Sequence, residues 1–156
     1  MKKIIICILA IALLIFSGCA PKTSPEQTPD EIPQDGITTM FLYVNDYKLE
    51  ITLANNSSVD ALTERLTGGD IAFTASENGG FEIYGSIGSS LPTNNERITA
   101  DVGDVLLYAG NNLCFFYGKN TYSYTRIGKI AGYSADELCE RFRTNNGKVQ
   151  LKISLK

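Results

Sequence analysis

The chain has 156 residues, with 17 acidic against 14 basic side chains for a formal charge of −3, and 44% of it is hydrophobic. That balance is the signature of a folded globular chain rather than a disordered one, and it excludes a nucleic-acid surface, which needs clustered cations. The closest approach to such a cluster, Arg141-Phe142-Arg143, is too short to make a tract and suits a solvated helix end.

The first residues look like an address. Lys2 and Lys3 precede an apolar run, Ile4 to Phe16, which gives way to Ser17, Gly18 and Cys19. The order of charged, hydrophobic and small residues is that of a secretory signal. The run falls short of the ~20 residues a membrane-spanning helix requires, so cleavage is expected rather than a retained span. Ile15-Phe16-Ser17-Gly18-Cys19 resembles the bacterial lipobox, with Phe16 where that pattern usually carries Leu. The resemblance implies a signal peptide over residues 1–18 and a diacylglycerol on Cys19, with acyl chains such as palmitate holding the chain on the outer face of a cell membrane. Loss of Lys2 and Lys3 with the signal takes the charge from −3 to −5. Residues 19–36 read as a tether, because Pro21, Pro25, Pro29 and Pro33 recur among polar residues and favour an extended polyproline path.

Residues 37–156 form the expected domain, about 120 residues and so one core. Ile37 to Val44 and Lys48 to Leu53 are strand-like runs around Asn45-Asp46, a pair suited to a hairpin turn. Ser57 and Ser58 offer hydroxyl caps for a short helix that places Val59, Leu62 and Leu66 on one face and stops at Gly68-Gly69. Phe73, Phe81, Ile83, Val105 to Tyr108 and Leu113 to Tyr117 continue the β pattern, the last two runs pairing through a turn at Gly110-Asn111-Asn112. Gly85 to Ser90 is expected to be a flexible loop and Asp101 to Asp104 a turn leading into a strand. Tyr122 to Ile130 is a further strand. Ser134 and Glu137 are spaced as a capping box for a second helix carrying Leu138 and Phe142, and Val149, Leu151, Ile153 and Leu155 alternate as a half-buried strand. About eight strands and two helices in this length favour a closed barrel with helices over its ends, a two-sheet sandwich being the alternative.

Four segments in order, Glu82-Ile83-Tyr84-Gly85, Gly103 to Tyr108, Phe116-Tyr117-Gly118 and Ser123 to Ile130, with Leu91-Pro92 between the first two, resemble the bacterial cyclophilin-like family. The resemblance runs from about Met40 to Leu155 and implies a closed eight-stranded barrel capped by two short helices. It carries no activity with it. Prolyl-isomerising cyclophilins present an Arg, a Gln, a His and a Trp on one barrel face, and this chain has neither His nor Trp, so no catalytic residue is transferred.

Without histidine the chain lacks the imidazole base of hydrolase triads and the commonest zinc ligand, so neither a metal nor a cofactor is expected. Asp101-Val102-Gly103-Asp104 lacks the ligand spacing of a calcium loop, and the Gly85 to Ser90 run lacks the lysine and helix of a phosphate loop. The sharper candidate is Tyr122, Tyr124 and Arg126, which alternation sends to one face of a strand, set against the plainer reading of rim tyrosines with Arg126 paired to an acid. Tyr84 and Arg97, the latter in a loop at a barrel end, complete a candidate ligand cleft. Cys114 and Cys139 are either bridged or two buried thiols. The expected function is a membrane-tethered, non-catalytic module binding a peptide or small molecule. The alternatives are a prolyl isomerase using Arg126 or Arg97, and a subunit docking on a partner.

Overall fold

A computed structural model of the chain describes residues 36–156. The expected signal peptide, Cys19 and the tether fall outside those residues, Gly36 apart. The described part is mainly β with two short helices: β1 Thr39–Val44, β2 Tyr47–Leu53, α1 Ser57–Thr67, β3 Ile71–Asn78, β4 Glu82–Ser86, β5 Glu96–Ala100, β6 Asp104–Tyr108, β7 Asn112–Phe116, β8 Asn120–Lys129, α2 Ala135–Arg141 and β9 Lys148–Ser154.

All the pairings are antiparallel, and the hydrogen-bonded order is β2-β1-β9-β3-β4-β7-β6-β8-β5. A further pairing of β8 with β2, through Thr52 with Lys129 and Leu53 with Gly128, brings the eight strands other than β5 into a ring. Side chains alternate across a strand, so each member sends every second residue inward. Met40 and Leu42 from β1, Leu49 and Ile51 from β2, Val105 and Leu107 from β6, Leu113 and Phe115 from β7, and Leu151 and Ile153 from β9 meet there with Ile83 and Ile127. Because ring and core are drawn wholly from Thr39 to Ser154, this stretch is a self-contained folding unit.

The helices sit at the two ends of the ring. α1 begins where β2 stops and buries Val59, Leu62 and Leu66 in the core. Its cap is Asn56 rather than either serine: the Asn56 side chain accepts from the Ser58 and Val59 amides and donates to the Arg126 carbonyl at 2.8 Å, so one residue both starts the helix and ties it to β8. α2 lies by the β1–β2 turn, where the Asn45 side chain donates to the Arg141 carbonyl at 2.8 Å. It opens with the expected Ser134–Glu137 capping box and buries Leu138, and Phe142 just beyond it packs edge-on against Phe115.

Several expectations are corrected. The described residues hold nine strands, because Glu96–Ala100 pairs with β8, and Arg97 is therefore a strand residue opposite Ser123 and not part of a loop. The β6–β7 turn is Ala109-Gly110-Asn111, with Asn112 already in β7. The segment after β4 is not loose: Ile87 is buried, its amide donates to the Asn111 carbonyl, and Arg65 and Asn111 side chains donate to the Ser89 and Gly88 carbonyls. Cys114 and Cys139 are both free, the first buried and the second exposed.

The ring closes over a short seam, and Gly128 is what lets the two strands meet there. A Cβ at this position would lie 2.3 Å from the Thr52 carbonyl oxygen and 2.8 Å from the Ile51 side chain. Gly128→Ala is expected to destabilise the domain by about 1–3 kcal/mol, read as a lower denaturant midpoint. An unchanged midpoint would mean that the seam is dispensable.

Candidate functional site

The outer face of the ring carries a second, smaller apolar cluster. β8 is long enough to belong to two ladders: Asn120 to Tyr124 pair with β5, and Thr125 to Lys129 with β6. Between Val105 and Leu106 the register shifts, so that Ile127 is the extra residue on β8. Alternation along β8 buries Thr125 and Ile127 and puts Tyr122, Tyr124 and Arg126 on the outer face with Leu106, and the bulge changes the phase beyond Ile127, so that Gly128 stands opposite Val105 and Lys129 opposite Asp104. There Ile98 and Ala100 of β5 and Tyr124 of β8 cover Leu106, Cys114 and Phe116.

A cup of about 240 Å³ opens at the edge of this cluster. Registers explain its composition. Asn78 stands opposite Glu82, and Tyr84 opposite Cys114, so β3, β4 and β7 present these four residues on one face. β6 adds Tyr108, and β8 adds Asn120, Tyr122 and Tyr124. Three of the tyrosine rings pack edge to face, with centroids 5.8 Å apart for Tyr108 and Tyr122, 6.3 Å for Tyr108 and Tyr124, and 6.0 Å for Tyr122 and Tyr124. Tyr84, Tyr108 and Tyr122 are exposed, whereas Tyr124 is buried, so three rings form the rim and one the floor.

Glu82 lies on the same floor at 4% exposure. Its Oε1 accepts from the Asn78 side-chain amide at 2.7 Å, while Oε2 has no hydrogen-bond partner among the described residues. Burial pushes this carboxyl above the usual glutamate value of 4.5, partly opposed by contacts with Asn78 and the Cys114 thiol. The carboxyl acts in return on its neighbours. Burial first, and then the nearby Glu82 charge, raises the Cys114 thiol and pushes the Tyr124 phenol up to about 12, even though Asn120 donates to the Tyr124 hydroxyl at 2.9 Å. Neither group is an activated nucleophile.

Of the residues singled out in the sequence, Tyr84, Tyr122 and Tyr124 line this cup together. The two arginines do not. Arg126 shares the face but pairs with Glu96 at 3.7 Å, both side chains half exposed, and Arg97 is on the opposite face of β5 from Ile98. The residues missed were Glu82, Tyr108, Cys114 and the two asparagines. No local signal marks Glu82, because a glutamate between Phe81 and Ile83 reads as the solvated residue of an alternating strand.

Two other hollows exist. One of about 780 Å³ lies between the β1–β2 turn and residues 140–150, and one of about 350 Å³ lies beside α2. Neither is lined by a buried polar atom left without a partner.

A family model described as the cyclophilin-like family matches residues 42–154. Among solved structures the chain is similar to the solution structure of a hypothetical protein from Archaeoglobus fulgidus, at 15% identity and a TM-score of 0.58, over 80% of this chain and 100% of that one. At that identity the likeness shows the fold alone. No curated protein matches the sequence.

Glu82 makes stability depend on pH in a definite direction. Below about pH 4 the carboxyl is protonated in both folded and unfolded chains; as pH rises through 4.5 the unfolded chain releases its proton while the folded one keeps it, and the folded state loses stability. Glu82→Gln lacks this loss, so its advantage over the parent in denaturant midpoint is expected to be larger at about pH 8 than at about pH 4. An advantage constant across that range would contradict a desolvated carboxyl.

Proposed function

This chain belongs to the cyclophilin-like family, and from that premise we propose that its domain is a closed barrel acting as a non-catalytic binding module, held at the outer face of a cell membrane by a lipid on Cys19. The ligand is a peptide or small molecule taken into the tyrosine cup on the outer wall. The observation that carries this reading is the cup itself, with aromatic rings around a buried carboxylate oxygen that lacks a partner. Convergent polar groups in an aromatic hollow are what small-ligand sites are made of.

What the cup lacks argues against the isomerase alternative. Holding a prolyl carbonyl through the twist of its amide calls for a cationic donor, and Arg126 and Arg97 both lie outside the cup. Its one charged side chain is a carboxyl, of the wrong sign to stabilise a carbonyl oxygen.

Three experiments test the reading. In NMR of residues 36–156, a mixed library of peptides and small molecules is expected to include members that shift resonances of Tyr84, Tyr108, Cys114 and Tyr122. X-Pro exchange in a test peptide, which takes tens to hundreds of seconds uncatalysed, is expected to stay at that rate. Faster exchange would replace the binding module with an isomerase. For the anchor, the full chain is expected to fractionate with membranes and Cys19→Ser to leave them, since stable attachment rests on the acyl chains; a Cys19→Ser chain that stays on membranes would refute lipidation as the tether.

A further inference from the structure

Four aromatic rings elsewhere on this domain, those of Phe41, Tyr43, Tyr47 and Tyr133, are served by its own cations. Lys48 Nζ lies 3.8 Å from the centre of the Phe41 ring, Lys152 Nζ 4.2 Å from that of Tyr43, and the Arg141 guanidinium 5.0 Å from Tyr47 and 4.5 Å from Tyr133. The four tyrosines of the cup have no such partner among the described residues, and neither lysine nor arginine lines it. They surround instead a glutamate whose Oε2 is buried and without a donor. Ring faces carry negative potential, and a carboxylate oxygen out of water needs an N–H. Both demands are met by one kind of group.

We propose that the cup takes a primary alkylammonium group, as found on a lysine side chain or a small free amine, with one N–H on Glu82 Oε2 and the charge set against the faces of Tyr84, Tyr108 and Tyr122. The inference rests on the binding-module reading and names its ligand. A quaternary ammonium would meet the rings but leave Oε2 without a donor, and a neutral alkyl group would meet neither demand. The remaining polar neighbours suit the same occupant: Asn78 already holds Oε1, and Asn120 holds the Tyr124 hydroxyl, so floor and carboxyl are oriented before a ligand arrives.

The charge of Glu82 must be present for this to work, so binding expels the proton that burial favours. The titratable groups facing Glu82 are Tyr84 on its own strand, Cys114 from β7, Tyr108 from β6 and Tyr122 and Tyr124 from β8, with uncharged Asn78 from β3. They are phenols and one thiol, so no second carboxylate competes for the cation within the cup.

The test titrates residues 36–156 with n-butylammonium, 1-pentanol as a neutral alcohol of similar length, tetramethylammonium, and an N-acetyl-lysine amide, following the amides of Tyr84, Cys114 and Tyr122 by NMR. Butylammonium is expected to bind saturably and more tightly than the other two simple probes. Glu82→Gln is expected to weaken it on the order of tenfold to a hundredfold, and Tyr122→Ala, at a half-exposed position outside the core, about two- to fivefold. Affinity is expected to rise between about pH 5 and about pH 8 for butylammonium and to stay level for pentanol. Tighter binding of the lysine amide assigns the group to a polypeptide, and equal binding to a free amine.

Pentanol binding as well as butylammonium, with Glu82→Gln indifferent, would overturn the ammonium assignment. If neutral members of the library shift the cup while no ammonium does, the assignment fails and the binding module stands. If nothing shifts it, the binding module fails as well.

Discussion

Strand β8 is the element on which the rest depends. Its second half closes the ring by meeting β2 at Thr52 and Leu53, and its first half, with β5, covers the outer face of β6 and β7. A one-residue bulge at Ile127 changes the phase just before the seam, so that Gly128 stands opposite Val105 on one side and Leu53 on the other. The site follows from the first half, where plain alternation stands Tyr122 and Tyr124 on the outer wall beside Leu106.

The second consequence is electrostatic. The ring fills its interior with side chains, so the cup lies on the outside, where water competes. The β5–β8 ladder lowers the local dielectric by covering Cys114, Phe116 and Tyr124, and so makes the carboxylate of Glu82 costly to leave bare. On an open sheet the same glutamate would be solvated and inert. The desolvated oxygen is thus a result of that covering ladder, which also adds Tyr122 to a rim that β4 and β6 supply with Tyr84 and Tyr108.

Much of the fold was legible in the sequence, where local chemistry and burial agree. The Asn45 turn has φ near 50°, the Ser134–Glu137 box forms, α1 buries its expected stripe, and the last strand alternates as written. β5 escaped because Glu96-Arg97-Ile98-Thr99-Ala100 offers one large apolar residue, and its buried face packs on the outer cluster rather than the main core. The site was half legible. Period-two alternation placed the β8 tyrosines on one face, but nothing local says that β4 and β7 lie between β3 and β6, and it is that order which brings Glu82, Tyr84 and Tyr108 to them. A buried carboxylate is also written with the same letter as a solvated one. Arg126 and Arg97 were drawn into the cleft for want of that topology, which pairs one with Glu96 and turns the other away.

Ring closure also bears on how such domains behave when crowded. A sheet edge is a template for another chain, and eight of the nine strands here have both neighbours for at least part of their length. β5 ends the ladder, is five residues long, and begins with Glu96 and Arg97. A short strand with charges of both signs is a poor partner for a copy of itself. Among the described residues the fold thus leaves one short strand edge, rather than a long row of unpaired backbone groups, as a template for another chain.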